Sequence, residues 1–257
     1  MNRLIWIIFL GLSLTAAGQS TDINNQDTVL NIFSDEHTYK ENYYHYGTTL
    51  YLVFPTLNIT GPIQLNTTLN NQGAPTLGRS TFMAGIGINE RTDLFCFGGE
   101  LITGGGYNSN DRYELNSSLF MVDLYMKYYL FSKPETGGFY PFIGFNSFNK
   151  TIHLTDISTS NDLNGLFQQS GSVNLKLNTL FLNGGIGYDL FNLKEGTSFY
   201  GSIKMGIRRN IGSEDANLWF INENNRLKGS PNEMLNSFYI QLGIGITINY
   251  RNFVPVI

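Results

Sequence analysis

The chain has 257 residues, of which 42 % are hydrophobic and 14 % are charged, with 28 Gly, 19 Phe, 15 Tyr and a formal net charge of -4. The hydrophobic share is sufficient for a folded core, but soluble domains usually carry roughly a quarter of charged residues, so much of this surface is expected to face something other than water. The acidic balance argues against a nucleic-acid partner, which would need a basic surface, and the single cysteine excludes an internal disulfide framework and a cysteine-based zinc site.

The N-terminus has the three regions of a secretory signal. Arg3 gives a short basic start, residues 4–14 form an apolar run, and residues 15–18 are the small side chains that signal peptidase requires. The alternative is an uncleaved anchor, which would need about 20 apolar residues. We therefore expect a signal peptide at 1–18 and a polar periplasmic segment at 19–45.

Alternation of apolar and polar residues with a period of two then predicts eight strands. In the last of them, Phe238, Ile240 and Leu242 share one face while Tyr239 and Gln241 share the other. The first strand is apolar on both faces, which leaves its register open. The predicted strands are 48–57, 81–89, 93–103, 118–131, 140–148, 179–190, 199–208 and 237–250.

The predicted connections alternate between short and long. The short ones are 90–92, 132–138 and 192–197, and the long ones are 60–80, 106–117, 151–173 and 210–235. Outer-membrane barrels have short periplasmic turns and long external loops. We therefore predict an eight-stranded antiparallel transmembrane up-and-down β-barrel over 46–250, a C-terminal extension at 251–257, and an exposed Trp219-Phe220 pair in the last external loop.

The distribution of charge separates this barrel from a soluble eight-stranded ligand carrier of the lipocalin type, which is apolar inside and faces water outside. Charged residues within the predicted strand cores all lie on the face that holds most of the glycines, and the opposite face carries none. A water-exposed exterior would carry Lys and Glu over its whole area. The charged residues on the polar face are Glu100, Asp123, Lys127, Asp189, Lys204 and Arg208.

Three glycine-containing stretches, 84–87, 141–145 and 184–188, carry a family resemblance. They resemble the outer-membrane β-barrel proteins of Bacteroidota, which are similar to the transmembrane domain of OmpA and to the opacity-type porins. The resemblance covers residues 43–250 and rests on strands of glycine and aromatic residues rather than on a chemical motif. It implies an outer-membrane location, contact with outer-membrane lipid and lipopolysaccharide, and a monomer.

A barrel of eight strands has room only for its own side chains or for one small ligand. Because a charge in such an interior is costly unless paired, we predict that Glu100 and Asp123 pair with Lys204, Lys127 or Arg208 across the lumen. Tyr125, Tyr200 and Tyr239 would complete the closure. The alternative reading of the same cluster is a gate that opens.

The remaining aromatic residues are typical of the girdles at the two membrane interfaces. Ordinary hydrophobic core is the alternative. The predicted girdle residues are Phe120, Tyr128, Phe131, Tyr140, Tyr188, Phe199, Phe238 and Tyr250, with Phe148 and Phe191 beside them.

The sequence predicts a structural or surface-interaction role, with external loops rich in Asn, Ser and Thr that suit an extracellular ligand. The alternatives are a narrow passive pore and, by resemblance, a lipid A-modifying enzyme with His153 beside Asp156 and Ser158. A loop histidine is more often simply solvated, and no catalytic residue, metal ligand or cofactor is assigned.

Overall fold

The computed structural model describes residues 43–60, 63–92, 94–130, 137–157, 162–163, 169–191, 196–213, 218–221, 225–226, 233 and 235–253. Eight long strands form the body of the protein. They are β1 (Tyr43–Ile59), β2 (Ser80–Thr92), β3 (Phe95–Ser109), β4 (Tyr113–Tyr128), β5 (Gly137–Asp156), β8 (Ser172–Phe191), β9 (Gly196–Asn210) and β12 (Ser237–Phe253).

These strands pair antiparallel in sequence order, and the sheet closes on itself because β1 also pairs with β12. The closing pair runs from Tyr43 opposite Phe253 to Ile59 opposite Ser237, so it extends beyond the predicted barrel by a few residues at each end. A closed sheet leaves no unpaired edge along the barrel wall, which is the condition for strands to cross a bilayer. The predicted fold class, an eight-stranded antiparallel barrel, is confirmed.

Five short elements among the described residues accompany the barrel. Helix α1 (Gln64–Asn71) lies between β1 and β2, β6 (Asp162–Leu163) pairs with β7 (Gln169–Ser170), and β10 (Phe220–Ile221) pairs with β11 (Asn225–Arg226). Strand β10 also pairs with β8, where Phe220 lies opposite Lys176. No helix among the described residues is both long enough and apolar enough to cross a membrane.

Several strands extend beyond their predicted outer ends. The predicted loop 106–117 is a tight hairpin, because β3 and β4 remain paired as far as Ser109 and Glu114. Asn110 closes the hairpin: its side-chain carbonyl accepts hydrogen bonds from the backbone N–H groups of Arg112, at 3.0 Å, and Tyr113, at 2.8 Å. The predicted strict alternation of short and long connections is therefore wrong at this hairpin.

Strand β8 reverses its polarity along its length. In the half nearer the predicted periplasmic end, Leu180 and Ile186 face outward and Asp189 faces the lumen. In the other half, Leu175 and Leu177 are buried inside the barrel, whereas the outward positions are polar. Strand β5 has the same change, since Ile143, Phe145, Ser147, Asn149 and Thr151 follow one another on its outer face.

The barrel therefore has two parts of opposite polarity. One part is apolar outside and polar inside, and we call it the apolar band. The other is polar outside and apolar inside, like a small water-soluble protein, and we call it the outer half. Both ends of the long predicted loop 151–173 are strand in the outer half, because β5 continues to Asp156 and β8 begins at Ser172.

Helix α1 closes the outer half. Leu65 and Leu69 on one side of the helix are fully buried in the hydrophobic core, together with Leu77 from the segment that follows. Trp219 from the last long connection belongs to the same core and is also fully buried. The prediction that Trp219 is exposed is therefore wrong: its indole fills the barrel mouth instead of facing solvent.

Candidate functional site

The six charges predicted for the lumen all lie inside the apolar band and are buried there. They form three successive layers. The inner layer joins Lys127 on β4 to Asp189 on β8, with 2.8 Å between Nζ and Oδ2. Tyr129 donates to Asp189 Oδ2 at 2.6 Å and Tyr200 to Oδ1 at 3.0 Å, so both carboxylate oxygens are engaged.

The middle layer is built on Glu100. Lys204 reaches it from the far side of the barrel, with Nζ 3.1 Å from Oε1 and 3.2 Å from Oε2. Tyr51 and Gln241 each donate to Oε1 at 2.8 Å, and the hydroxyl of Tyr51 is also bonded to that of Tyr125. A buried ion pair needs such additional hydrogen bonds to offset the desolvation of its two charges.

Glycines make room for this layer. An added Cβ on Gly87 would collide with the ring of Tyr51, and one on Gly98 would collide with the ring of Tyr125. The tyrosine rings thus lie flat over neighbouring strands at positions where only glycine leaves space. This packing explains why the polar face of the predicted strands is rich in glycine.

The outer layer differs because its two charges are not in direct contact. Asp123 accepts a hydrogen bond from Asn183 Nδ2 at 2.7 Å, and it makes no ion pair with any described residue. The guanidinium of Arg208 stacks on Tyr239, with Cζ 3.7 Å from the ring centroid. The prediction that Asp123 pairs directly with a base across the lumen is therefore wrong. Its carboxylate is turned toward an amide on β8 instead.

This layer also contains many buried polar atoms that make no hydrogen bond to any described group. They are Arg208 Nε, Nη1 and Nη2, Asp123 Oδ2, both amide atoms of Asn146, Asn183 Oδ1, Ser237 Oγ and Tyr239 OH. Each such atom costs about 1–3 kcal/mol when it is left unsatisfied. The total would reach on the order of ten kcal/mol or more, which is as large as the whole stability of a typical protein.

One further lumen charge is absent from the sequence prediction. Arg91 is buried near the inner end of the barrel, with its guanidinium 4.0 Å from the ring centroid of Phe191 and 4.5 Å from that of Tyr129. Residues 90–92 are predicted to form a turn, but β2 continues to Thr92 and carries Arg91 on its inner face. The sequence does contain a signal for this position. Gly87, Asn89 and Arg91 continue the same face of β2 with a period of two, which places Arg91 in the lumen.

The predicted girdle residues divide between the two faces. Phe120, Tyr128, Phe199 and Phe238 are exposed on the outside of the apolar band, and Tyr188 is partly exposed, with its ring 4.9 Å from that of Phe139. Phe131 lies outside the described residues, and Tyr250 is described only by its pairing with Tyr46.

The assignment of Tyr140 to the girdle is wrong. Only 1 % of the residue is exposed, because the even-numbered residues of β5 face the lumen at this level. The same correction applies to Phe148 and Phe191, which are buried inside the barrel.

The outer half contains a buried carboxylate outside the predicted lumen cluster. Glu233 is fully buried and accepts hydrogen bonds from the backbone N–H groups of Gln64, at 3.0 Å, and Leu65, at 2.6 Å, which begin helix α1. Trp219 Nε1 donates to the same carboxylate at 3.2 Å. Glu233 thereby caps a helix from a distant connection and ties it to Trp219.

Lys150 on β5 is another buried charge of the outer half. It is 4 % exposed and faces inward between Phe148 and Ile152, both of which are fully buried. No hydrogen bond or ion pair to its amine is formed by the described residues around it. Burial among these side chains lowers the pKa of the Lys150 amine to about 8, although the buried carboxylate of Glu233 attracts its charged form.

The residues considered for catalysis do not converge. His153 lies on the outer face of β5 and its Nδ1 is 2.7 Å from Asn174 Oδ1 on β8. Asp156 lies on the inner face of the same strand and is paired with Arg112 at 3.3 Å. Ser158 lies outside the described residues.

No protein-family model matches the chain, and no curated protein matches it. Several solved barrels are similar in fold. Neisserial surface protein A has 10 % identity over 80 % of this chain and 97 % of its own, with a TM-score of 0.40. Ail of Yersinia pestis, solved with the heparin analogue sucrose octasulfate, has 10 % identity over 80 % and 99 %, with a TM-score of 0.40. OprG of Pseudomonas aeruginosa has 13 % identity over 81 % and 95 %, with a TM-score of 0.38.

Proposed function

We propose that this chain is an integral outer-membrane barrel with a lumen closed by its own side chains, and that it acts as a structural or surface-interaction protein. The observation that carries the proposal is the reversal of polarity between the apolar band and the outer half. A barrel in water would bury its apolar residues along its whole length, and a barrel in lipid must expose them only where lipid covers it.

The exterior of the apolar band supports contact with hydrocarbon. On β12 alone, Leu242, Ile244 and Ile248 are each about half exposed, and none has a charged neighbour on the same face of the strand. Soluble monomers rarely expose continuous apolar surface on this scale. Outer-membrane lipid and lipopolysaccharide are therefore the surroundings that we propose for this band, with delivery by the signal peptide at 1–18.

The interior supports closure rather than conduction. The ion pairs Lys127–Asp189 and Lys204–Glu100 cross the lumen in successive layers, and helix α1 with Trp219 fills the outer mouth. A passive pore would need a continuous polar path, which the apolar core of the outer half interrupts. The lumen charges thus act in packing and in fixing the strand register.

The outer half supports a role at the cell surface. Its strands carry polar residues outward above the apolar band, as Asn174 and Lys176 do on β8. This polar exterior is the part of the barrel that an extracellular ligand would meet. Enzymatic activity is not part of the proposal, since His153 and Asp156 lie on opposite faces of β5.

Two measurements test the proposal. The full-length protein should fractionate with the outer membrane and should migrate differently on a detergent gel before and after boiling. Failure of both would overturn the membrane barrel. In planar bilayers, the purified protein should show no steady open conductance, and a large stable open state would favour the pore instead.

A further inference from the structure

We propose that the outer layer of the lumen binds a cluster of water molecules that joins Arg208 to Asp123. The inference rests on the proposed lipid-embedded barrel, because lipid around the apolar band leaves the lumen as the only polar medium at this level. It adds a binding site to a lumen that is otherwise closed by direct contacts between side chains.

The first reason is that the buried side chain of Arg208 lacks hydrogen-bond acceptors among the described residues. The residue is only 1 % exposed, and none of its three side-chain nitrogens bonds to a described protein group. Tyr239 covers one face of the guanidinium and so holds its plane in place. Stacking occupies the face of the group and leaves its N–H edge free to donate. A buried guanidinium with an unused N–H edge requires acceptors that the described residues do not supply.

The second reason is that acceptors and donors meet in this layer. Asn183 donates to one oxygen of Asp123 and leaves its own carbonyl oxygen unbonded, while the second Asp123 oxygen is also unbonded. Asn146, the register partner of Asp123, uses neither of its amide atoms, and Asn183 is the register partner of Arg208. The unbonded atoms therefore lie on neighbouring strands of one layer.

Charge identifies the ligand as water rather than an ion. Arg208 and Asp123 contribute one charge of each sign, so an added anion would face a carboxylate and an added cation would face a guanidinium. Water both donates and accepts, and a buried water makes about three hydrogen bonds. The unbonded atoms of this layer thus correspond to about three waters by the same ratio.

The layer is closed on both sides. Toward the outer half, the rings of Phe148 and Phe181 meet at 5.3 Å directly above Asn146 and Asn183. Toward the periplasmic end, Lys204 and Glu100 form the middle layer. Water held between these two layers exchanges slowly with solvent and belongs to the folded structure.

A crystal structure of the full-length protein, at a resolution that orders internal water, tests the proposal. We expect at least two waters that together form a hydrogen-bonded chain from Arg208 to Asp123. Asn146→Leu, which keeps the number and branching of the side-chain heavy atoms and removes both polar atoms, should lose at least one of them. The control Thr49→Val should lose none, because Thr49 is already bonded to Thr247 at 2.9 Å.

A direct ion pair between Arg208 and Asp123 without intervening water would overturn the proposal, as would density for a solute other than water. The boiled and unboiled mobility of each variant keeps the two proposals separate. A preserved mobility shift with a dry layer refutes only the water cluster. Loss of the shift in the unmodified protein refutes the membrane barrel on which it rests.

Discussion

Lys204 on β9 and Glu100 on β3 lie on opposite walls of the barrel, and their side chains meet in the lumen with 3.1 Å between Nζ and Oε1. The residues are 104 positions apart in the chain. Tyr51, Tyr125 and Gln241 complete the same layer from three further strands. This contact therefore joins strands that share no backbone pairing.

Lys204→Met should destabilise the barrel by about 3 kcal/mol or more, because it leaves the Glu100 carboxylate buried without its cation. The measurement is the free energy of unfolding in urea with lipid vesicles. The matched control is Arg209→Met on the adjacent, outward-facing position of β9, which should change stability by less than about 0.5 kcal/mol. Equal effects of the two substitutions would contradict the importance of the ion pair.

The reversal of polarity along β8 predicts that one face tolerates a charge in one half only. Ile186→Lys, within the apolar band, should destabilise the protein in vesicles by about 2–4 kcal/mol. Ser172→Lys lies on the same face of the same strand in the outer half and should be nearly neutral, because Ser172 is exposed. If both substitutions were tolerated, lipid would not surround the band around Ile186.

The hydrogen bonds to Glu233 should determine how firmly helix α1 is held in the barrel mouth. Glu233→Ala removes the acceptor of the Leu65 and Gln64 N–H groups and should favour local opening by about 2 kcal/mol, or about 30-fold in population. Faster proteolysis of the segment 60–79 in the intact protein would report this opening. Glu233→Gln keeps one acceptor oxygen and should have an intermediate effect.

Proteolysis of Glu114→Gln provides the control for Glu233, since Glu114 lies on the outward face of β4 in the same half of the barrel. It should be cleaved at the unmodified rate. If Glu233→Ala were also cleaved at that rate, the carboxylate would not be what holds α1 in the mouth.

Lys150→Met should stabilise the protein by about 1 kcal/mol or more. The methionine fills a similar volume between Phe148 and Ile152 without burying an amine among apolar side chains. Unfolding in urea gives the comparison, with Arg79→Met at an exposed position as the control. A loss of stability would mean that the attraction between Lys150 and the buried carboxylate of Glu233 outweighs the desolvation of the amine.

The period of two in the sequence was sufficient to predict the barrel and the inward position of all six charges. The ladder Phe238, Ile240, Leu242 is an example: an unbroken row of large apolar residues on one face of a strand specifies both the strand and the face. Tyr140 shows that residue type alone does not determine which face of a strand a side chain occupies. An aromatic residue near a strand end resembles a girdle residue, but its parity with Phe142 places it inside.

The outer half is absent from the prediction because a single polarity along each strand does not describe β5 and β8. Val173, Leu175 and Leu177 alternate with polar residues just as clearly as the apolar band does, but with the faces exchanged. The contact between Glu233 and Leu65 could not be predicted from the sequence. The two residues are 168 positions apart, and no local pattern links them.

On β8, the outward-facing side chains change from leucine at position 180 to asparagine at position 178. Displacing the molecule toward the cell exterior would bring Leu180 into water, and displacing it inward would bring Asn178 and Lys176 into hydrocarbon. Both displacements cost free energy. The boundary between the two halves therefore sets the depth of the barrel in the membrane. It also fixes how far helix α1 and the external connections stand above the lipid surface.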